Sequence, residues 1–245
     1  MLGRRRTLLL TGASRGIGHA AVKKFSAEGW RVLTVSRHPF DERCPWEGGA
    51  ENHVQLDLQD ISSVEDIATI LKDKTEGYLD ALINNAAVSP KAEDGKRMGS
   101  LQTSYKTWLS VFNVNFFSIA LLAQALRSEL IAARGTVINI TSIAGSRVHP
   151  FAGSAYAASK AALVALTREL AHDFGNSGVR VNAVAPGEIE TSILSPGTDA
   201  IVQREIPLKR LGQPHEVADL LFFLCSDQAA YITGSEIHIN GGQHV

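Results

Sequence analysis

Apolar positions in this chain fall into two rhythms. Short apolar runs occur at 7–11 (TLLLT), 31–36 (RVLTVS), 53–57 (HVQLD), 80–84 (DALIN), 135–141 (GTVINIT), 179–185 (VRVNAVA) and 235–240 (SEIHIN). Their length and largely continuous apolar character predict strands covered on both faces. Longer segments between them carry helical spacing: Gly16 to Glu28 (ending at Gly29), 62–75 with Ser62 or Ser63 as cap, 102–112, 113–133, 155–175 and 214–226. Strand and helix alternate, which predicts right-handed βαβ units and a parallel sheet. The expected fold is α/β, one doubly wound domain over 1–245 with helices on both faces. Loops at 38–52, 88–100 and 195–214 are too short to divide it.

Composition narrows the function classes. The chain has 245 residues, 44% hydrophobic and 20% charged, with a formal net charge of −1. That balance gives no general case for nucleic acid or an anionic membrane. Arg4-Arg5-Arg6 is the only dense basic run and reads as a solvated lead-in to the first strand. Cys44 and Cys225 match no metal spacing and suggest a reducing compartment, so the expectation is a cytoplasmic protein without a metal. The basic N-terminus followed by TLLLTGA is too short in its apolar part for a signal peptide. No apolar stretch reaches the ~18 residues of a membrane span.

The first chemistry-bearing motif is TGASRGIG (11–18), between a strand and a helix. Gly12 can make the tight turn, while Gly16 and Gly18 let backbone amides approach a pyrophosphate. Ser14, Arg15 and Ile17 complete the turn, and the helix N-terminus adds partial positive charge. The same letters fit G-x-S-x-G, the nucleophile elbow of serine hydrolases, with Ser14 as nucleophile. Against that, no earlier strand and loop precede it, and Gly18 has no task in an elbow.

The end of the second strand bears on which dinucleotide is bound. An NAD-selective site carries an acidic residue about twenty residues after the glycines. Ser36-Arg37 occupies that place here, and Arg15 lies in the first turn. Two guanidiniums suit a ribose 2′-phosphate, which favours NADP(H) over NAD(H). Asp41 and Glu42 follow in a loop and leave NAD use open. Asp57, with Leu58 beside it, either meets the adenine or caps the strand.

Tyr156 and Lys160 stand one helical turn apart in SAYAASKAALVAL (154–166). Residues i and i+4 share a helix face. A phenol has a pKa of about 10. A cation ~5 Å away at an effective dielectric of ~20 contributes roughly 3 kcal/mol, which lowers that pKa by about two units. The phenol can then exchange a proton with an alcohol or carbonyl. Ser142 follows the fifth strand and either hydrogen-bonds the substrate oxygen or is a plain loop serine. Asn115 either kinks its apolar helix or holds a water that reaches Lys160.

In this combination the chain resembles the short-chain dehydrogenase/reductase family. The motifs are T-G-x-x-x-G-x-G at 11–18, N-N-A-A at 84–87, Asn115, Ser142, Y-x-x-x-K at 156–160 and P-G-x-I-x-T at 186–191. Ala87 departs from the usual glycine, and 88–104 is a long polar loop. The resemblance implies a Rossmann-type fold and hydride transfer between NADP(H) and a carbonyl/alcohol pair. It implies Tyr156 as general acid/base, Ser142 orienting the substrate oxygen, Lys160 tuning the tyrosine and holding the ribose, and Asn115 anchoring a relay water. Asn85 and Ala86 would lie along the cofactor, and Pro186, Gly187, Ile189 and Thr191 would flank the nicotinamide. The C-terminal third resembles 3-oxoacyl-carrier-protein reductases, a likeness that extends to members with other substrates. A catalytically idle NADP(H)-binding sensor is the remaining alternative, opposed by the intact Ser142, Tyr156 and Lys160.

Helices 155–167 and 114–126 are small or apolar nearly all round, so a second surface should cover them. A homodimer or homotetramer is expected, a habit common in the family. The substrate is expected to be a small carbonyl or alcohol, near loops 88–104, 143–155 and 188–211, which hold no diagnostic cluster and no charged cluster that points to an acyl-carrier partner. His149, Phe151 and Ile193 either contact substrate or serve loop packing.

Overall fold

The computed structural model describes residues 4–41, 48–191 and 197–245. Among the described residues seven strands form one sheet: β1 (Thr7–Thr11), β2 (Arg31–Ser36), β3 (His53–Gln55), β4 (Ala81–Asn84), β5 (Thr136–Ile140), β6 (Arg180–Pro186) and β7 (Glu236–Ile239). Their order is β3-β2-β1-β4-β5-β6-β7, and every pair is parallel. Order reverses between β1 and β4, so the carboxyl ends of these strands open a crevice there.

Alternation along β1 divides the core. Leu8 and Leu10 pack with Val22, Phe25, Ile83, Leu221 and Leu224 on one face. That face is covered by α1 (Gly16–Ala27) and α8 (Pro214–Leu224). Leu9 joins Leu33, Leu82, Leu122, Leu126, Val137 and Phe174 on the other. There lie α2 (Ile61–Thr75), α4 (Ser118–Ala125), α5 (Arg127–Ala133) and α6 (Ser154–Gly175). Both faces are buried, as the apolar runs anticipate.

The boundaries differ from expectation in physically readable ways. α2 is preceded by Asp60; Ser62 lies in the helix and donates to Asp60 Oδ1 at 2.7 Å, and the Ser63 side chain lies outside the described residues. α3 (Tyr105–Phe112) starts at Ser104, whose hydroxyl accepts from Thr107 N, rather than at 102. The expected helix 113–133 is instead a π-helical turn (Asn113–Phe117), then α4 and α5. Ser118 Oγ donates back to Val114 O at 2.8 Å, a bond that bends helices. α7 (Thr198–Glu205) occupies what reads as loop, because only Ile201 and Val202 among its residues are apolar enough to anchor it.

Arginines 4–6 do more than lead in. Arg4 grips Asp80 through both terminal nitrogens at 2.8 and 2.6 Å, Arg5 donates to Gly29 O, and Arg6 pairs with Asp227. Cys225 is buried, and burial pushes its thiol up to about 12; Cys44 lies outside the described residues.

The continuous helical path Tyr105–Ala125 has a mean hydropathy of 1.4 and is, by length and composition alone, enough to cross a membrane, against expectation. Its segments pack against α2 and α6, which accounts for part of that apolar character.

Candidate functional site

The crevice holds a cleft of about 520 Å³. At one end is the turn after β1, where Gly12 adopts φ 71°. A Cβ on Gly12 would lie 2.8 Å from Ala86 Cα, and one on Gly18 would lie 2.1 Å from Gly12 O, so only glycine fits either position. Asn85 secures the turn: its Nδ2 donates to Thr11 O at 3.1 Å and Gly12 O at 2.8 Å. Thr11 Oγ1 accepts from the amides of Asn85 and Ala86, both at 3.1 Å. Asn85 thus lines the cleft and also ties β1 to β4.

Helix α1 begins after Arg15 with no side-chain cap. Its first amides and positive end are free for an anion. Gly12, Ser14, Arg15, Gly16 and Ile17 line the cleft, while Gly18 lies behind them. Among the described residues Ser14 Oγ has no hydrogen-bond partner, so no base is placed to activate it as a nucleophile.

Beyond β2, Ser36, Arg37, His38, Asp57 and Leu58 line the same cleft. Ser36 Oγ donates to His38 O at 2.9 Å, and His53 Nε2 meets the same carbonyl at 2.9 Å. The Arg15 and Arg37 side chains are exposed and make no ion pair with a described residue. β3 ends at Gln55 rather than at 57, and Asp57 Oδ1 accepts from Gln59 N at 3.0 Å. Asp57 thus braces the turn after the strand instead of capping the strand's end, and it borders the cleft. Asp41 is exposed, and Glu42 lies outside the described residues.

At the other end Ser142, Tyr156 and Lys160 line the cleft together. Lys160 is 1% exposed, and its Nζ donates to Ile140 O at 2.6 Å, 5.7 Å from the centre of the Tyr156 ring. Ser142 Oγ accepts from Ala144 N at 3.2 Å. Burial raises the Tyr156 pKa, the hydrogen bond from Ser142 opposes that, and the charge of Glu188 adds to it. Burial also lowers Lys160 to about 7. The expected depression of the phenol by the ammonium is therefore not what the folded chain gives. That argument counted attraction between full charges; desolvation acts on both groups and favours both neutral forms.

Asn115 does not reach the cleft. It is fully buried in the π-helical turn, where Oδ1 accepts from Val88 N at 2.9 Å and Nδ2 donates to Val88 O at 3.1 Å and Ser159 Oγ at 3.0 Å. It splints the segment after β4 to α6, within the π-helical turn that breaks the regular helix. A buried chain of Asn84, Asn139 and Thr167 makes a second tie: Asn84 Nδ2 donates to Asn139 Oδ1 at 2.8 Å, and Asn139 Nδ2 to Thr167 Oγ1 at 2.9 Å. Asn84 belongs to the N-N-A-A motif, but its pairing with Asn139, a polar letter inside an apolar run, appears only in the fold.

Ala86, Pro186, Gly187, Ile189 and Thr191 also line the cleft, and Thr191 packs toward Gly16 across its mouth. His149 and Phe151 line it as expected; Ile193 lies outside the described residues. The charged pair in the wall is an addition. His149 Nε2 lies 2.6 Å from Glu188 Oε1, with both side chains nearly buried. The sequence could not offer this pair: the partners are thirty-nine residues apart and only the fold joins them.

Comparison with known proteins identifies the family and agrees with the fold. A family model described as enoyl-(acyl carrier protein) reductase matches residues 12–244. The chain is 58% identical over 245 residues to protein FixR of Bradyrhizobium diazoefficiens, covering 99% of this chain and 88% of that one. It is 34% identical to the 3-oxoacyl-[acyl-carrier-protein] reductase FabG of Vibrio cholerae, covering 97% and 96%. A crystal structure of an oxidoreductase of the short-chain dehydrogenase/reductase family from Brucella ovis, in complex with a partially ordered NAD, superposes with a TM-score of 0.84 at 53% identity, covering 97% and 100%.

The buried lysine makes a testable demand on stability. With its pKa lowered in the folded state, the unfolded chain binds more protons between about 7 and the ordinary lysine value. Stability of the cofactor-free protein should therefore rise with pH across that interval, and the destabilising effect should be complete below it. Urea unfolding at pH 7 and 9.5 should show wild type gaining on Lys160→Met. A stability of wild type relative to Lys160→Met that stays flat or falls over that interval would mean that Lys160 is charged inside the fold.

Proposed function

The chain belongs to the short-chain dehydrogenase/reductase family and is an oxidoreductase, and we propose that it interconverts a carbonyl and a secondary alcohol using NADP(H), with Tyr156 as general acid and base. The observation that carries this reading is the convergence of Ser142, Tyr156 and Lys160 on the cleft whose far end is the uncapped start of α1.

The residues present fit a dinucleotide. The glycine turn forms a cradle that a Cβ at Gly12 or Gly18 would fill, and the free amides of α1 suit a pyrophosphate. Ser14, Arg15, Gly16 and Ile17 would hold the phosphates. Arg15 and Arg37 would meet the 2′-phosphate, with Ser36 at the place where an acidic residue would select NAD. Asp57 and Leu58 would border the adenine. Asn85 and Ala86 would lie along the middle, and Pro186, Gly187, Ile189 and Thr191 would flank the nicotinamide. When bound in reduced form, the nicotinamide supplies a hydride to the carbonyl carbon.

The chain's own groups manage the proton. Ser142 donates to the substrate oxygen and stabilises charge developing on it. Tyr156 gives its hydroxyl proton to that oxygen, and an alcohol results. Its raised pKa keeps the phenol protonated at neutral pH, the form that reduction needs. Lys160 sits beside the ring to stabilise the phenolate that remains. Asn115 acts as a positioning residue, fixing Val88 and α6 relative to each other.

NAD is the second reading, because the Brucella ovis relative at 53% identity was crystallised with it. A reductase for acyl-carrier-protein substrates is a narrower alternative, supported by the FabG likeness.

We also infer a homo-oligomer, dimer or tetramer. Leu109 and Phe117 are 42% exposed, beside partly exposed Phe112 and Phe116 and the alanines of α6. This apolar face fits a second copy better than water. A cytoplasmic location accords with two cysteines far apart in sequence.

Three outcomes are expected. Tyr156→Phe should lower kcat/KM for ketone reduction, followed at 340 nm, by about a hundredfold to ten-thousandfold while NADPH still binds; near-normal turnover would remove Tyr156 from the chemistry. Arg37→Asp should weaken NADPH by roughly tenfold to a hundredfold and NADH far less, whereas equal losses would argue against the 2′-phosphate contact. Light scattering at micromolar concentration should give a multiple of the 26.3 kDa chain mass; a monomer would refute the assembly.

A further inference from the structure

We propose that Glu188 is a specificity-determining residue whose carboxylate, held by His149, accepts a hydrogen bond from a hydroxyl on the carbon next to the reacting carbon. The substrate is then a small hydroxylated ketone and the diol it yields, rather than a plain ketone or an acyl thioester. This rests on the oxidoreductase reading above and adds the substrate class to it.

Glu188 follows the Pro186-Gly187 turn and lines the cleft together with His149, Ser142 and Tyr156. Its side chain is 11% exposed and that of His149 is 9% exposed. A carboxylate so placed needs donors. Oε1 takes one, His149 Nε2 at 2.6 Å. The imidazole has no freedom in this, because its Nδ1 accepts from Phe151 N at 3.2 Å. Nδ1 is therefore the bare nitrogen, and Nε2 carries the hydrogen and donates.

Oε2 accepts nothing from any described residue, and it is not among the buried polar atoms sealed without a partner. It is an acceptor left open in the wall of the substrate end of the cleft. A ligand hydroxyl would satisfy it, and a plain hydrocarbon flank would strip its water and give nothing back. An anionic flank would meet repulsion. A cationic flank is disfavoured because Lys91 already lies close enough to feel Glu188, its Nζ held by Phe151 O and 5.8 Å from the Phe151 ring centre. A neutral donor is what the arrangement suits.

The substitution Glu188→Gln tests this sharply. His149 Nε2–H can be met only by the amide oxygen, so the new NH2 group would point into the cleft. An acceptor becomes a donor with little change of shape. Steady-state reduction with NADPH would compare acetoin, butanone, the matching amino ketone and an acetoacetyl thioester. Wild type should favour acetoin over butanone by at least about tenfold in kcat/KM. In Glu188→Gln that ratio should fall to near one, with NADPH affinity, read by fluorescence, unchanged. Butanediol should also compete in wild type at least several-fold more tightly than butanol, a comparison that needs no variant.

Equal use of acetoin and butanone by wild type would overturn the inference and leave the oxidoreductase reading standing. Preference for the amino ketone or the thioester would overturn it likewise. An unchanged ratio in the variant would show that Glu188 is not the selector. No reduction of any carbonyl would bring down both.

Discussion

The bond from Lys160 Nζ to Ile140 O carries the site. It joins the long helix α6 to the carboxyl end of β5 inside the protein, where the lysine nitrogen has almost no contact with water. An amine in that position costs the fold free energy, which shows as a pKa near 7. What it gains is register. With Lys160 docked on the end of β5, Tyr156 falls one turn earlier on the same face and Ser142, two residues beyond Ile140, falls opposite it. Gly145 lets the connecting loop lie against the helix backbone, 3.0 Å from Ala161 N to where a Cβ would stand. The Asn139–Thr167 and Asn115–Ser159 bonds hold the rest of the helix in the same setting.

The opposite end of the cleft follows a different rule. There the protein leaves backbone amides unused instead of pinning a side chain. Arg15 precedes α1 without capping it, and the Arg15 and Arg37 side chains remain unpaired with described residues. Together these make an anion-receptive end, separated from the tyrosine by the width of the sheet crevice. The topology puts both ends at the strand reversal between β1 and β4, where a ligand can reach both.

Much of this was legible in the sequence because it is local. All seven strands were found within a residue or two. The glycine turn and the Tyr156–Lys160 pair each lie on one element, where spacing alone sets the geometry. Long-range pairings were not legible. His149 and Glu188, Asn84 and Asn139, and Arg4 and Asp80 meet only after the strands are ordered. The π-helical turn at 113–117 was hidden because its residues keep an apolar pattern that any helix would show. α7 was hidden for the opposite reason, having too few apolar positions to signal a face. The tyrosine's pKa was misjudged because charge spacing can be read from letters, whereas burial cannot.

The central claim is that this cleft passes a hydride directly to a carbonyl carbon while Tyr156 supplies the proton. Label transfer tests it most directly. Acetoin would be reduced in ordinary water with NADPH carrying deuterium at the transferable position of the nicotinamide, and the product read by mass and by NMR. The account predicts one deuterium at the new carbinol carbon, and hydrogen from water at the new hydroxyl. Product without deuterium at that carbon, or no product with either nicotinamide cofactor, would contradict it.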